Sequence, residues 1–580
     1  MISTIASGFN AFINSGNGIS QPLKNKSFNF FRSTFSILNK KERTRFGILM
    51  LADIIISLID IVSLAFLLWI IQFYVQPEKS ISLSFLPGWI INRDSVSLVA
   101  LFFIVFAIKN LAAFFIAKAQ HRFNGKVAVR ISKDSLVNYQ QSTFEDYVHI
   151  DTSVHLRKIA YQPYDFCQYM LSGIQQIITQ SSLITISIAA ILLFDTRLFL
   201  LLLIILVPPV LAVFYFIKKR LTKAKWFIRK GNEKSFQYLM DALKGYVEGN
   251  IYGRNDFFLH RFVEQRKNFS LHLFDSMSIQ TLPSRLIEIF AVMGLFVLVV
   301  IARWTGSDNA SLITIGAFMA AAYRIIPGLV KLVNITSQIK AFEFSLNELV
   351  HDNINSNAVQ KKHTESIQTI RFDNVHFAYT QASALSNLSF DIHKGDFVGI
   401  TGRSGKGKTT VLNLLLGFLE PSQGEIFVNN GLAKKTELQN YWPAIAYVRQ
   451  QPFFIHDTVL KNITLQEHDD NEEKLTHAIN TSGLKEFLNC STEGMNKIIT
   501  ENGKNISGGQ QQRIALARAF YKDAEVILLD EPFNELDEAS ELSLLSHFSK
   551  LAESGKIVIM VTHSKKALSF CNKIISLDDQ

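Results

Sequence analysis

Cysteine is scarce in this sequence. The three cysteines, Cys167, Cys490 and Cys571, stand far apart in a chain of 580 residues. That spacing excludes a disulfide framework and a thiolate metal site, and it marks them as buried or incidental thiols of a reducing compartment. A cleavable leader is also not expected, because residues 1–20 are polar and hold no apolar stretch ahead of a small-residue cleavage site. No basic recognition motif accompanies the formal charge of +10, so nucleic acid is not the expected partner. Many of the lysines and arginines instead flank apolar runs, where they mark the cytoplasmic side of a membrane and meet anionic headgroups.

What the chain has in abundance is apolar length. Hydrophobic residues make up 48% of it and 47 are Phe, which fits a large lipid-facing surface better than an ordinary globular enzyme. The length excludes a single compact domain. To about residue 345 the sequence carries runs near the ~20 residues that a transmembrane helix needs. Six candidate spans lie near 47–75, 96–118, 168–194, 197–218, 285–304 and 311–335. Seven cations from Lys24 to Arg45 precede the first span against the single acid Glu42, whereas the next loop balances Glu78 and Asp94 with Lys79 and Arg93. The positive-inside rule therefore puts the N-terminus in the cytoplasm, and six spans return the C-terminus to the same side.

Phe28, Phe31, Phe35 and Leu38 recur at helical spacing and predict an amphipathic helix at the membrane interface before span one. The long charged connections 119–167 and 219–284 predict that spans two to five continue as helices beyond the bilayer. Asp53, Asp60, Lys109, Glu288, Arg324 and Lys331 sit in or beside the apolar runs, where charge is costly and faces protein or water. Arg324 and Lys331 are seven residues apart and share a helix face. Two readings stand side by side: a cationic wall for an anionic substrate, or side chains that snorkel or pair with acids on neighbouring helices.

After a polar stretch at 350–368 the pattern changes to strands. Gly402-Arg-Ser404-Gly405-Lys-Gly407-Lys408-Thr409-Thr410 follows the β-rich run Asp396–Thr401 and opens a helix, which is the setting of a phosphate-binding loop. Glycines let backbone N–H groups close around phosphate oxygens at a helix N-terminus. Lys408 is expected to neutralise the β- and γ-phosphates of ATP and Thr409 to help hold Mg²⁺. Val526–Asp530 reads as a buried parallel strand ending in two carboxylates. Asp530 suits the Mg²⁺ shell, and Glu531 suits the base that orients or polarises the attacking water.

Between these segments lies Ile506-Ser507-Gly508-Gly509-Gln510, followed by Gln512-Arg513. This signature resembles that of the ATP-binding subunit of ABC transporters. The resemblance implies roles for further residues: Tyr379 stacks on adenine, and Gln450 contacts Mg²⁺ and couples to the membrane domain. It likewise implies that Glu501 and Gly503 meet the cytoplasmic loops, Asp537 lies at a dimer interface and His563 contacts the γ-phosphate. Ser507 to Gln510 then act on nucleotide held by a partner's phosphate loop, so a second copy of the chain is the simplest partner, with a heterodimer left open.

The departures from the family pattern are Ile506 where Leu is usual, an extra cation at Lys406, and Phe533-Asn534-Glu535 in place of small residues in the interface loop.

The order of the two halves resembles the ABC exporter fold. That implies an all-α six-helix transmembrane domain followed by an α/β P-loop ATPase domain with antiparallel β and helical subdomains. The expected boundaries are a cytoplasmic segment 1–45 with its interfacial helix, a transmembrane domain 46–349, a linker 350–368 and an ATP-binding domain 369–580. The expected activity is ATP-driven export or flipping across the cytoplasmic (inner) membrane of a bacterium, with both termini cytoplasmic and membrane lipids as neighbours. Pro283–Glu288, Tyr323–Pro327, Ile37–Arg43 and Trp442 are similar to patterns of bacterial lipid-linked oligosaccharide flippases. Through that likeness Arg324 and Lys331 are candidates to meet a pyrophosphate. Export of a drug, lipid or simple peptide, and an ATP-gated membrane regulator, are the alternatives. About 45 residues before span one are too few for a peptidase domain, which argues against a leader-cleaving peptide exporter.

Overall fold

The computed structural model describes residues 26–75, 96–194, 230–279, 365–379, 382–467 and 471–578, with further scattered positions between 208 and 349. The chain divides into two compact units, Met1–Ser142 with Tyr147–Ala358, and Thr143–Asp146 with Val359–Gln580.

The described part of the first unit is helical: α1 (Lys26–Ile37), α2 (Lys40–Val75), α3 (Ser97–Gln140), α4 (Thr152–Leu192) and α5 (Asn255–Ile279). Three of these, over Lys40–Ile71, Ser97–Gln140 and Thr152–Leu192, are long and apolar enough to cross a membrane, and they correspond to the first three expected spans. Leu51, Leu58, Phe103, Ile108 and Phe114 stay exposed along them, as side chains facing lipid must. The fourth, fifth and sixth expected spans, together with Arg324, lie wholly or largely outside the described residues.

The 44 residues of α3 reach about 66 Å at ~1.5 Å per residue, roughly twice the ~30 Å hydrocarbon core. The helix that holds span two is thus long enough to continue past a bilayer, and α4 begins well before the apolar run that defined span three. Within α4 the backbone widens to π-turns at Arg157–Tyr161 and Phe166–Leu171, on either side of Pro163. Proline cannot donate a backbone hydrogen bond, and such local widening is a common accommodation.

The helix before span one forms where the spacing predicts it, but its apolar side meets protein. Leu38 is buried, Phe31 and Phe35 pack on the same core as Phe123, Val127 and Met170, and Phe35 meets Phe46 edge-on at 5.4 Å. An apolar stripe has the same spacing whether lipid or protein covers it, so periodicity alone could not separate the two. Arg130 of α3 fixes this elbow. Its guanidinium donates to both carboxylate oxygens of Glu42 at 2.7 and 3.0 Å, to the Ile37 carbonyl at 3.0 Å and to Asp134 at 2.7 Å.

The second unit is α/β. Strands β1 (Thr369–Tyr379), β2 (Ala382–His393), β4 (Gln423–Val428) and β5 (Gly431–Leu432) form an antiparallel sheet in the order β2-β1-β4-β5. Strands β3 (Phe397–Thr401), β6 (Ile445–Val448), β9 (Val526–Asp530), β10 (Ile557–Val561) and β11 (Lys573–Ser576) form a parallel sheet in the order β11-β3-β10-β9-β6. The short β7 (Asp457–Thr458) and β8 (Ile498–Ile499) pair separately.

Every residue of β9 and β10 is buried, because both faces of the parallel sheet are covered. Ile400, Leu528 and Ile559 face α6 (Lys408–Leu415) through Val411 and Leu412, whereas Ile527, Leu529 and Met560 face α7 (Gly508–Lys522) and α8 (Glu538–Glu553) through Leu516, Leu545 and Phe548. Short helices at Val459–Thr464, Glu472–Thr481 and Lys485–Asn489 pack with the first turns of α7 into a smaller helical cluster. The four residues Thr143–Asp146 join this unit, with Phe144 stacked on Phe418 at 4.7 Å and Trp442 edge-on to Phe418 at 5.6 Å.

Candidate active site

The parallel register lines up the carboxyl ends of adjacent strands. Val561 of β10 pairs with Ile400 of β3 on one side and with Asp530 of β9 on the other, and Val448 of β6 pairs with Leu529. Functional groups collect at such ends in open α/β sheets. Here β3 delivers the loop Gly402–Gly407, β9 delivers Asp530 and Glu531, β10 delivers His563 and β6 delivers Gln450.

The loop turns into α6 at Gly407, whose φ of +86° is left-handed and whose place could not hold a Cβ, since that atom would lie 2.6 Å from the Ala384 carbonyl oxygen. Lys408 is buried, and its Nζ donates to the carbonyls of Gly402 and Arg403 at 2.9 and 3.2 Å. The ammonium is thus folded over its own loop. Ser404, Gly405, Lys406 and Thr409 are exposed along the same stretch, and Thr410 is buried beneath it.

Glu531 leaves the strand with φ +48°, an unusual conformation for a residue with a side chain. Its N–H donates to the Val561 carbonyl at 3.1 Å. Gln450 Nε2 and Asn534 Nδ2 each donate to its Oε2 at 2.8 Å, and His563 Nε2 stands 3.5 Å from its Oε1. Three of the expected catalytic residues therefore meet at one carboxylate. Asp530 lies beneath, buried, with the Tyr447 hydroxyl donating to its Oδ2 at 3.4 Å. Burial, and then the adjacent charge of Glu531, hold the Asp530 carboxyl above the usual carboxylate range against the pull of Lys408 and Arg449. Burial, followed by the Asp530 charge, pushes the Tyr447 phenol up as well.

Ser507 caps α7. Its hydroxyl accepts from the Gln510 N–H at 3.4 Å, and the Gln510 side chain returns to the Ser507 N–H at 3.0 Å, the reciprocal pair of a capping box. Gly509 has no room for a side chain, since a Cβ there would lie 2.8 Å from the Glu535 carbonyl oxygen, whereas a Cβ on Gly508 would lie 2.7 Å from Oε2 of the exposed Glu535 side chain, which can move aside. Asp537 caps α8 through the Ser540 N–H and receives Arg513 Nη2 at 3.1 Å. Hydrogen bonds from Ser540, first of all, hold its carboxyl below the ordinary range. Gly503, left-handed at φ +70°, accepts from Gln511 Nε2 at 3.0 Å through its carbonyl, and Glu501 is exposed beside it. Tyr379 is half exposed and stands edge-on to Phe377 at 4.8 Å. Lys331, on the membrane side of the chain, is exposed.

Sequence reasoning missed Tyr447, Asn534 and Glu535 as neighbours of the site. For the last two the signal was present as the departure from small residues in the interface loop.

A buried strand ending in paired carboxylates beside a lysine-bearing glycine loop is the arrangement of a nucleotide-binding α/β domain, here in a chain whose helices are long and apolar enough to cross a membrane. Residues 385–534 match the family described as ABC transporter. Relatives include a probable ABC transporter ATP-binding/permease protein of Haemophilus influenzae, 33% identical over 215 residues, which is 37% of this chain and 39% of the relative. An ATP-dependent lipid A-core flippase of Neisseria meningitidis serogroup B is 33% identical over 301 residues, 50% of this chain and 48% of the relative. One of Saccharophagus degradans, with the same description, is 27% identical over 369 residues, 63% and 62% of the two chains. The chain spans about half the length of the curated relatives it matches. In fold it resembles a bacterial Atm1-family ABC exporter with ATP bound, with a TM-score of 0.74 over 93% of each chain at 16% identity. Residues 385–534 are thus similar to the ABC transporter family, and the chain has the fold of an ABC exporter, helical and membrane-crossing in length and composition before an α/β domain.

Proposed function

We propose that two copies of this chain form an ATP-driven exporter or flippase in a bacterial inner membrane, moving an amphipathic, lipid-linked substrate out of the cytoplasmic leaflet. The observation that carries the reading is the meeting of Gln450, His563 and Glu531 beside Asp530 and Lys408, in a chain that also supplies membrane-crossing helices.

On this reading the loop Gly402–Thr410 and Tyr379 hold ATP, and Ser507–Gln510 of the other copy close over it. Thr409, Gln450 and Asp530 are oxygen donors suited to a hard cation such as Mg²⁺. The elevated Asp530 carboxyl, buried beside a second carboxylate, is the kind of site that a divalent charge relieves. Mg²⁺ would supply charge neutralisation at the β- and γ-phosphates. Glu531 accepts the proton of the attacking water as the bond to the γ-phosphorus breaks and ADP departs, and His563 donates to the γ-phosphate. Closure of the ATP-bound pair and its release after hydrolysis shift the membrane helices between two arrangements. The substrate class draws support from the relatives described as lipid A-core flippases and from Arg324 and Lys331. The domain boundaries 46–349 and 369–580 belong to the same proposal.

The test is hydrolysis in proteoliposomes. The parent protein should turn over ATP faster when given polyprenyl-pyrophosphate glycans or lipid A-core, and Glu531→Gln should bind ATP without turnover. Hydrolysis undiminished in Glu531→Gln would remove the base assignment, and a parent ATPase indifferent to both glycolipids would remove the substrate class.

A further inference from the structure

The interface loop departs from small residues at Phe533, Asn534 and Glu535, and the structure shows what those side chains do. Phe533 is buried and packs near Phe548, which anchors the loop in the core between the parallel sheet and α8. The Leu536 N–H donates to the Phe533 carbonyl at 3.0 Å, closing a turn with Asn534 and Glu535 at its tip. From that tip Asn534 reaches back three residues, and its Nδ2 donates to Glu531 Oε2 at 2.8 Å. The same oxygen receives Gln450 Nε2 at 2.8 Å, while Oε1 points to His563 at 3.5 Å.

We propose that Asn534 is a positioning residue for hydrolysis: together with Gln450 it ties down Glu531 Oε2 and leaves Oε1 as the oxygen that takes the proton from water. The inference rests on the proposed hydrolytic role of Glu531 and deepens it. A glutamate side chain has three rotatable bonds, and the left-handed backbone of Glu531 does not by itself fix where its carboxylate points. Two amide donors on one oxygen restrict the group to a single orientation, and a nucleophile-activating group must be held to within a fraction of an ångström. A serine or alanine at 534 could not span that distance with an N–H donor. The two amides come from different strands' ends, so Glu531 is oriented only while the loop after β6 and the turn after β9 are both in place.

The experiment is steady-state ATP hydrolysis by the full chain in proteoliposomes. Asn534→Ala should lower kcat about tenfold with KM and equilibrium ATP binding unchanged within about twofold. Asn534→Asp keeps the size and turn preference of asparagine but sets a carboxylate against Glu531, so its kcat should fall to or below that of Asn534→Ala. In the Glu531→Gln background Asn534→Ala should cost nothing further. A purely structural role for the turn would leave Asn534→Asp near the parent, and that result overturns the proposal, as does a raised KM with intact kcat. If alanine unsettles the fold, the order of the Asp and parent proteins still decides. A parent protein without ATP hydrolysis would remove the proposed function itself, and the positioning role with it, whereas an active parent with a fully active Asn534→Ala would remove the positioning role alone.

Discussion

Charged and polar groups are treated in opposite ways by the two units. In the membrane unit they pair with each other. Lys109 of α3, buried, holds Asp60 of α2, and Thr179 of α4 donates to Asp53. Asn124 and Gln175 face each other, with Asn124 Nδ2 donating to Gln175 Oε1 at 3.3 Å. Each of these contacts joins two different helices, as expected where a polar or charged group that lies among apolar helices must find a partner. In the ATPase unit the polar groups gather at strand ends and converge. Lys408 rests on its own loop carbonyls, and three side chains meet Glu531 beside a buried Asp530 whose own charge is only partly offset. A unit that neutralises its charges internally is built for position, and one that concentrates them at a surface opening is built for a ligand.

The largest effect that would break this contrast belongs to the ATPase unit. Glu531→Gln should reduce kcat about a thousandfold with no loss of thermal stability, because the amide retains the shape and replaces a charge. A matching loss of melting temperature in detergent would show that Glu531 is structural. The membrane unit should behave in reverse. Lys109→Met removes the buried cation that Asp60 pairs with and should cost about 3 kcal/mol, while the double change Asp60→Leu with Lys109→Met should recover most of it. Failure of the double variant to recover would mean that the pair does more than hold α2 against α3. Between these lies Gly509→Ala. The added methyl would sit 2.8 Å from the Glu535 carbonyl oxygen, which is backbone and cannot swing aside. ATP hydrolysis should fall by about tenfold or more, since the turn that carries Asn534 is displaced along with Glu535. Unchanged hydrolysis would show that the turn can shift freely.

Local rules made some of this legible and left the rest hidden. The phosphate loop, the capping box at Ser507 and the strand ending in Asp530 each occupy a short stretch, so residue type and spacing specify the geometry. Gln450 and Glu531 are 81 residues apart, and their meeting depends on the order of β6 beside β9, which no spacing reveals. The same holds for Lys109 with Asp60 and for Phe144 on Phe418, where sequence shows the groups but not the pairing. The helix before span one shows the converse limit. Its spacing predicted the helix but not the protein core that covers Phe31, Phe35 and Leu38, because a stripe of Phe and Leu is equally at home against lipid or against α3. Arg130 with Glu42, an ion pair bridging 88 residues, fixes that elbow and is assembled only by the tertiary fold.

The smallest expected effect tests the idea that the ATPase unit holds its charges in readiness. The Asp530 carboxyl sits above its ordinary value of 3.8 because burial and the neighbouring Glu531 disfavour the charged form. A carboxyl raised in the folded state binds its proton more tightly there than in the unfolded chain. Its contribution to stability is therefore full below pH 3.8 and is lost as pH rises through the folded value. At neutral pH the ionised group works against the nucleotide-free fold. Asp530→Asn, which keeps the shape and removes the charge, should raise the melting temperature of the nucleotide-free protein slightly at pH 7, and the gain should shrink as the pH is lowered toward 4. Added ATP and Mg²⁺ should reverse the order, stabilising the parent more than the variant, because on the proposed reading the charge that is costly in the nucleotide-free fold is the one that would hold the metal. An Asn variant less stable than the parent at pH 7 without nucleotide would mean that Asp530 is already compensated, and the contrast between the two units would then fail at its most buried acid.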